Sequence, residues 1–226
     1  MATTVILDEG VEIPDGIRSL ADFRRWTHSD DFPESGRIDY VNGRIEIDMA
    51  PEAMFSHSRP KIELLVVIGQ LVKQFGIGEI FSDRMRISSI AGGVSAEPDL
   101  VFVSDDTIES GRVKLIPKVT KEEEDFIEIE GPPDFVVEVV GDSSVTKDTK
   151  RLPRAYFDAG VPEYWLVDAR RENLIFRIHR RGPAGFVARR PDREGYQRSA
   201  VLGRRFRLDR RRDARGHWRY DLLHAE

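Results

Sequence analysis

The chain has 226 residues, 40% hydrophobic and 33% charged, a globular composition with enough apolar material for one core. It has no cysteine, which excludes disulfides, thiolate zinc sites and a cysteine nucleophile. No apolar run approaches the roughly 18 residues of a membrane span, and the N-terminus MATTVILDEG lacks a secretory signal pattern, so a cytosolic protein with no membrane partner is expected. The net charge of −5 is uneven: residues 177–226 hold 15 arginines and 6 acids, and the remainder is strongly acidic. That basic end suits either phosphate backbones or an ordinary solvated surface.

In chain order, residues 17–28 read as a helix with Ser19 as N-cap. Arg37 to Asp48 reads as a hairpin turning at Asn42-Gly43. From His57 to Phe75 the apolar residues Ile62, Leu65, Val66, Ile68, Leu71, Val72 and Phe75 form a helical stripe, with Gly76 as terminator. Ile80 to Ser88 gives one or two strands, broken at Gly92-Gly93, and Pro98 to Val103 gives another. Lys121 to Glu130, KEEEDFIEIE, reads as an exposed loop or short hairpin. Phe135 to Val140 is nearly all apolar, the pattern of a strand covered on both faces. A short helix carrying Tyr156 follows and ends at Gly160, before a strand from Tyr164 to Asp168. From Leu174 onward the segments LIFRIHR, GFVARR, AVLGRRFRLD and HWRYDLL read as short strands. The order predicts an α/β (α+β) chain with a mixed sheet flanked by helices.

Two acidic residues stand out. Asp99 follows Pro98 at the mouth of one strand, and Glu138 interrupts FVVEVV, sharing a face with Val136 and Val140. An ionised carboxylate among aliphatic side chains needs a positive partner. If the two strands pair, the carboxylates converge as hard oxygen ligands for Mg²⁺ or Mn²⁺, with water and a phosphate completing the shell. Lys147 and Lys150 lie just beyond Glu138 and would steady developing charge. The plain readings stay open: a turn-forming Asp99 and a structurally paired Glu138. Walker, dinucleotide-binding and Gly-x-Ser-x-Gly motifs are absent, and the five histidines show no metal-ligand spacing.

The segments PDLVFVSDD and PPDFVVEVV, followed by KD, Tyr156 and AGVPEYWLVDAR, resemble the Uma-type restriction endonuclease family of the PD-(D/E)XK nuclease superfamily. The hairpin YVNGRIEIDMAPEAMFSH is similar to its N-terminal signature of a Gly turn, a Glu and a later His. The resemblance covers roughly residues 20–200. It implies a restriction-endonuclease-like core over about 17–170 with a strand-rich C-terminal part over about 171–226, in a single domain. It also implies a DNA endonuclease, with Asp99 and Glu138 as metal ligands and catalytic residues. The chain departs from the pattern at Val140, where the motif lysine is expected. Lys147, in the KD pair, is then the first choice for the catalytic lysine and Lys150 the second. Asp148 is a helix-start or site residue, Glu97 a ligand or a solvent-facing side chain, and Glu46 and His57 match the N-terminal signature. A homodimer follows by analogy, since two strands need two sites. A non-catalytic nucleic-acid-binding module and an assembly domain remain as alternatives.

Overall fold

A computed structural model of the chain describes residues 5–6, 11–118 and 125–226. Two short strands, β1 (Val5–Ile6) and β2 (Glu12–Ile13), pair with each other. Helix α1 (Leu20–Thr27) begins where the Ser19 hydroxyl accepts from the Asp22 amide at 3.2 Å. Strands β3 (Arg37–Val41) and β4 (Arg44–Asp48) form the expected hairpin. Asn42 and Gly43 take φ of 49° and 83°, the pair of left-handed residues that a tight hairpin turn requires. A π-helical turn at Met54–Ser58 runs into α2 (Arg59–Phe75), which Gly76 ends at φ 56°. Then come β5 (Gly78–Ser82), β6 (Arg86–Ser89), β7 (Val94–Ala96), β8 (Leu100–Ser104) and the short α3 (Asp105–Glu109). They are followed by β9 (Lys114–Pro117), β10 (Phe126–Glu130) and β11 (Phe135–Val139). A second π-helical turn, Lys147–Arg151, leads into α4 (Leu152–Ala159), with Pro153 in its first turn where no amide is needed. The rest is β12 (Glu163–Asp168), β13 (Ile175–Arg181), β14 (Phe186–Ala188), β15 (Gln197–Arg198), β16 (Arg205–Arg212) and β17 (Trp218–Ala225).

The strands build two six-stranded mixed sheets. The first runs β4-β3-β7-β6-β10-β9 and the second β14-β13-β12-β11-β8-β5. Strands β15, β16 and β17 form a third, antiparallel sheet. The second sheet is covered on both faces. One face carries Leu100, Phe102, Phe135, Val137 and Trp165 and packs on α2 and on Phe206, Leu208 and Leu222 of the third sheet. The other carries Val101, Val103, Val136 and Tyr164 and meets α4 together with Val41, Ile87, Val94 and Ile129 of the first sheet. The alternation along β8 and β11 is therefore a sorting of side chains between two apolar layers. Among the described residues no helix is long and apolar enough to cross a membrane.

Three expectations need correction. The buried face of α2 is Leu64, Ile68, Leu71 and Val72, whereas Ile62, Val66 and Phe75 are exposed. The helix is apolar around too much of its girth for the stripe alone to choose the face. Phe126–Glu130 is a strand inside the first sheet, parallel to β6 and antiparallel to β9, with Glu128 and Ile129 buried. The charged residues before it, 121–124, lie outside the described residues. Finally, the strand-rich end is divided: β13 and β14 extend the second sheet, and only β15–β17 stand apart.

Candidate metal centre

The site is built on one pair of strands. β8 and β11 are antiparallel neighbours, with Phe102 opposite Phe135, Val101 opposite Val136 and Leu100 opposite Val137. One further step along that register sets Asp99 opposite Glu138, on the face of Val101 and Val136. Directly opposed residues project to the same side of a sheet. Asp99 is 3% exposed and Glu138 is fully buried.

Each carboxylate has one oxygen tied to the surrounding fold. Asp99 Oδ2 accepts from the Val139 amide at 2.6 Å, and Glu138 Oε1 accepts from the Tyr156 hydroxyl at 2.6 Å. The other two oxygens meet a single cation, the guanidinium of Arg37 on β3. Its Nη2 donates to Glu138 Oε2 at 3.0 Å, its Nη1 lies 3.5 Å from Asp99 Oδ1, and its Nε lies 3.3 Å from Asp39 Oδ2. Strand β3 belongs to the first sheet, so the site sits on the seam between the two large sheets.

Of the two candidate lysines, Lys147 is buried and Lys150 is exposed. Lys147 Nζ donates to Asp39 Oδ2 at 2.8 Å, the same oxygen that faces Arg37. Asp148 is buried too; it accepts from the Ser144 hydroxyl, and its Oδ1 has no hydrogen-bond partner among the described residues. Glu97 pairs with Arg86, while its own amide donates to Asp39 Oδ1 at 3.0 Å. Glu46, opposite Asp39 on the hairpin, ion-pairs with Arg151 at 2.7 Å. His57 reaches the site: its Nε2 is 3.8 Å from Asp99 Oδ2 and its Nδ1 is 3.2 Å from Glu52 Oε2. Tyr164 and Trp165 are core, and Asp168 pairs with Arg170.

Sequence reading missed four residues here: Arg37, Asp39, Glu52 and Lys61. Arg37 and Asp39 did leave a signal, two charges on one face of a strand otherwise apolar. Glu52 lies within the signature segment and joins His57 and Asp99 in a group whose ligand atoms all fall within 4.8 Å of one another. Lys61 is buried one helical turn after His57 and bonds Glu52 and Asp83.

The electrostatics follow from burial. Burial, helped by the charges of Asp99 and Asp148, pushes the Glu138 carboxyl up to about 8, against the pull of Arg37 and Tyr156. Burial likewise raises Asp148 to about 6, with Arg37, Ser144 and Lys147 opposing. Burial disfavours the charged forms of Lys147 and Arg37, but Asp39 holds the Lys147 ammonium above its ordinary value, and Glu138, Asp39 and Asp99 hold Arg37 well above its own. Carboxylate oxygens from Asp99 and Glu52 and an imidazole from His57 lie close enough to share a hard divalent cation, and Glu138, on the same sheet face as Asp99, is joined to it through Arg37. Two clefts open beside them. One, of about 460 Å³, is lined by Arg37, Glu52, Arg84 and Asp99, and the other by Arg37, His57, Ser143 and Arg170.

Residues 20–212 match the Uma2 family model, described as "Putative restriction endonuclease". The chain belongs to the Uma2 family. A solved structure with the same fold is that of "a putative nuclease belonging to DUF820" from Anabaena variabilis. It is 20% identical, with a TM-score of 0.50 over 74% of this chain and 83% of that one. The Uma2 chain thus has a restriction-endonuclease-like mixed α+β fold. No match is found among curated proteins. The arginine-rich end of the Uma2 chain is less free than its charge suggests, because Arg205, Arg207, Arg211, Arg212 and Arg219 all ion-pair with nearby acids.

Proposed function

We propose that this Uma2 protein is a divalent-metal-dependent endonuclease of the PD-(D/E)XK type that hydrolyses DNA phosphodiester bonds. The observation that carries the reading is the register of β8 against β11, which brings Asp99 and Glu138 to one cation. Asp99 and Glu138 would hold Mg²⁺ or Mn²⁺, with Glu52 and His57 able to share a cation with Asp99. A bound cation of this kind polarises a phosphoryl oxygen and acidifies the attacking water. Glu138 must give up its proton before it can serve. Lys147, fixed by Asp39 on the same seam, steadies the water and the charge that builds on the phosphate. Lys150, exposed, has no part in it. Two strands of DNA call for two sites, hence a homodimer acting in the cytosol.

One observation favours a second reading. Arg37 already occupies the cation's place, as in a non-catalytic nucleic-acid-binding module that has exchanged metal for guanidinium. Calorimetric titration with Mn²⁺ and nicking of a supercoiled plasmid decide between the two. The endonuclease reading expects Mn²⁺ binding and nicking by the native chain, with both lost in Glu138→Ala and the circular dichroism unchanged. No binding and no nicking by the native chain, with salt-sensitive DNA binding retained, selects the module.

A further inference from the structure

We propose that Arg37 is a built-in stand-in for the metal: it holds the acidic site together in the metal-free protein and swings into the flanking clefts when a divalent cation enters. The inference rests on the endonuclease reading of the Asp99–Glu138 site. Its ground is the assignment of oxygens. Asp99 Oδ2 and Glu138 Oε1 are taken by the Val139 amide and the Tyr156 hydroxyl. The two oxygens not so engaged, Asp99 Oδ1 and Glu138 Oε2, are the freest to ligate a cation, and they are those that Arg37 covers at 3.5 and 3.0 Å. A divalent ion needs contacts near 2.1 Å to such oxygens, so guanidinium and metal compete for the same atoms.

Arg37 is also held in a way that permits it to leave. Among the described residues only its Nη2 makes a hydrogen bond to the site, and its Nε has no hydrogen-bond partner there. Arg86, nearby on the same sheet, shows what a permanent arginine looks like. It donates to Ser95 O, Ser95 Oγ and Ile38 O, ion-pairs with Glu97, and lies against the rings of Phe23 and Phe32. The Arg37 side chain is 21% exposed against 5% for Arg86. It lines both clefts, so space for the displaced arm lies on either side. Strong charge attraction with few directional bonds is what an exchangeable counterion requires; a fitted bidentate fork would resist exchange.

The test is Mn²⁺ calorimetry on the native chain and on Arg37→Met, with Arg-selective phenylglyoxal labelling of the native chain as a measurement that needs no variant. If Arg37 competes with the metal, Arg37→Met binds Mn²⁺ about tenfold more tightly, a modest share of what removing a cation from this distance allows. Mg²⁺ should then raise labelling of Arg37 in the native chain severalfold, as read by mass spectrometry. Mn²⁺ binding by the native chain with equal or weaker binding by Arg37→Met, or labelling of Arg37 that Mg²⁺ leaves unchanged or lowers, overturns the stand-in role and leaves the endonuclease reading intact. No Mn²⁺ binding by either protein overturns the endonuclease reading, and the stand-in role with it.

Discussion

Replacing Glu138 with Gln tests the buried acid directly. In the folded chain Glu138 keeps its proton until about pH 8, whereas an unburied glutamate releases it near 4.5. The folded state therefore holds the extra proton across that interval, so the stability it contributes is complete below pH 4.5 and is lost as pH rises towards 8. Two pH units of that loss lie between pH 6 and pH 8, which at 1.36 kcal/mol per unit is about 3 kcal/mol. Gln has no such proton to lose. It can still accept from Tyr156, although its amide then faces Arg37, a fixed penalty at every pH. The gap in stability between Glu138→Gln and the native chain should therefore move by about 3 kcal/mol in favour of the variant from pH 6 to pH 9. Asp148 titrates lower, from its ordinary value up to about 6, and is common to both proteins. Urea unfolding of metal-free protein at the two pH values measures the shift. Parallel stability–pH curves refute the claim that Glu138 is a buried, largely protonated acid.

Lys147→Met should lower cleavage by roughly 10²–10³-fold while Mn²⁺ binding persists, and Lys150→Met should leave cleavage unchanged; equal losses in the two variants would remove Lys147 from its role. Arg86→Met strips the partner from partly buried Glu97 and leaves buried Asp39 with fewer cations, so about 3–5 kcal/mol of stability should go, as read from urea midpoints. On α2, Leu64→Ala should cost about 2–5 kcal/mol and Val66→Ala less than about 1 kcal/mol, and a reversed order in thermal unfolding would contradict the helix facing described above.

Much of the fold is legible in local chemistry. The Ser19 cap, the Asn42-Gly43 turn and the stops at Gly76 and Gly160 each rest on a residue whose backbone preference acts within a few positions. The facing of α2 was not legible, because Ile62, Leu65 and Val66 are as apolar as Leu64 and only the partners across space distinguish them. Phe126–Glu130 was misread for a related reason. Its charges look solvent-facing, yet Glu128 is buried against Arg24 and His28 from a distant helix. In the site, Asp99 and Glu138 were visible as charges that break an apolar pattern. Their counterions were not, since Arg37 and Asp39 lie some sixty and a hundred residues away on another sheet and meet them only after folding.

That division has a physical consequence. The second sheet supplies the acids and the first sheet supplies the arginine that makes them tolerable, with Asp39 linking Arg37 to Lys147. Burying either set without the other would leave an unpaired carboxylate or guanidinium, which costs several kcal/mol. The apolar layer shared by the two sheets brings them together, and the charges add directional contacts across the seam. A cation that takes over Asp99 and Glu138 would loosen one of those charged ties without disturbing the apolar packing between Val136, Ile87 and Val94. Arg37 can thus exchange partners at the seam while Lys147 keeps its tie to Asp39 across it, which allows the site to alter its charge without opening the core.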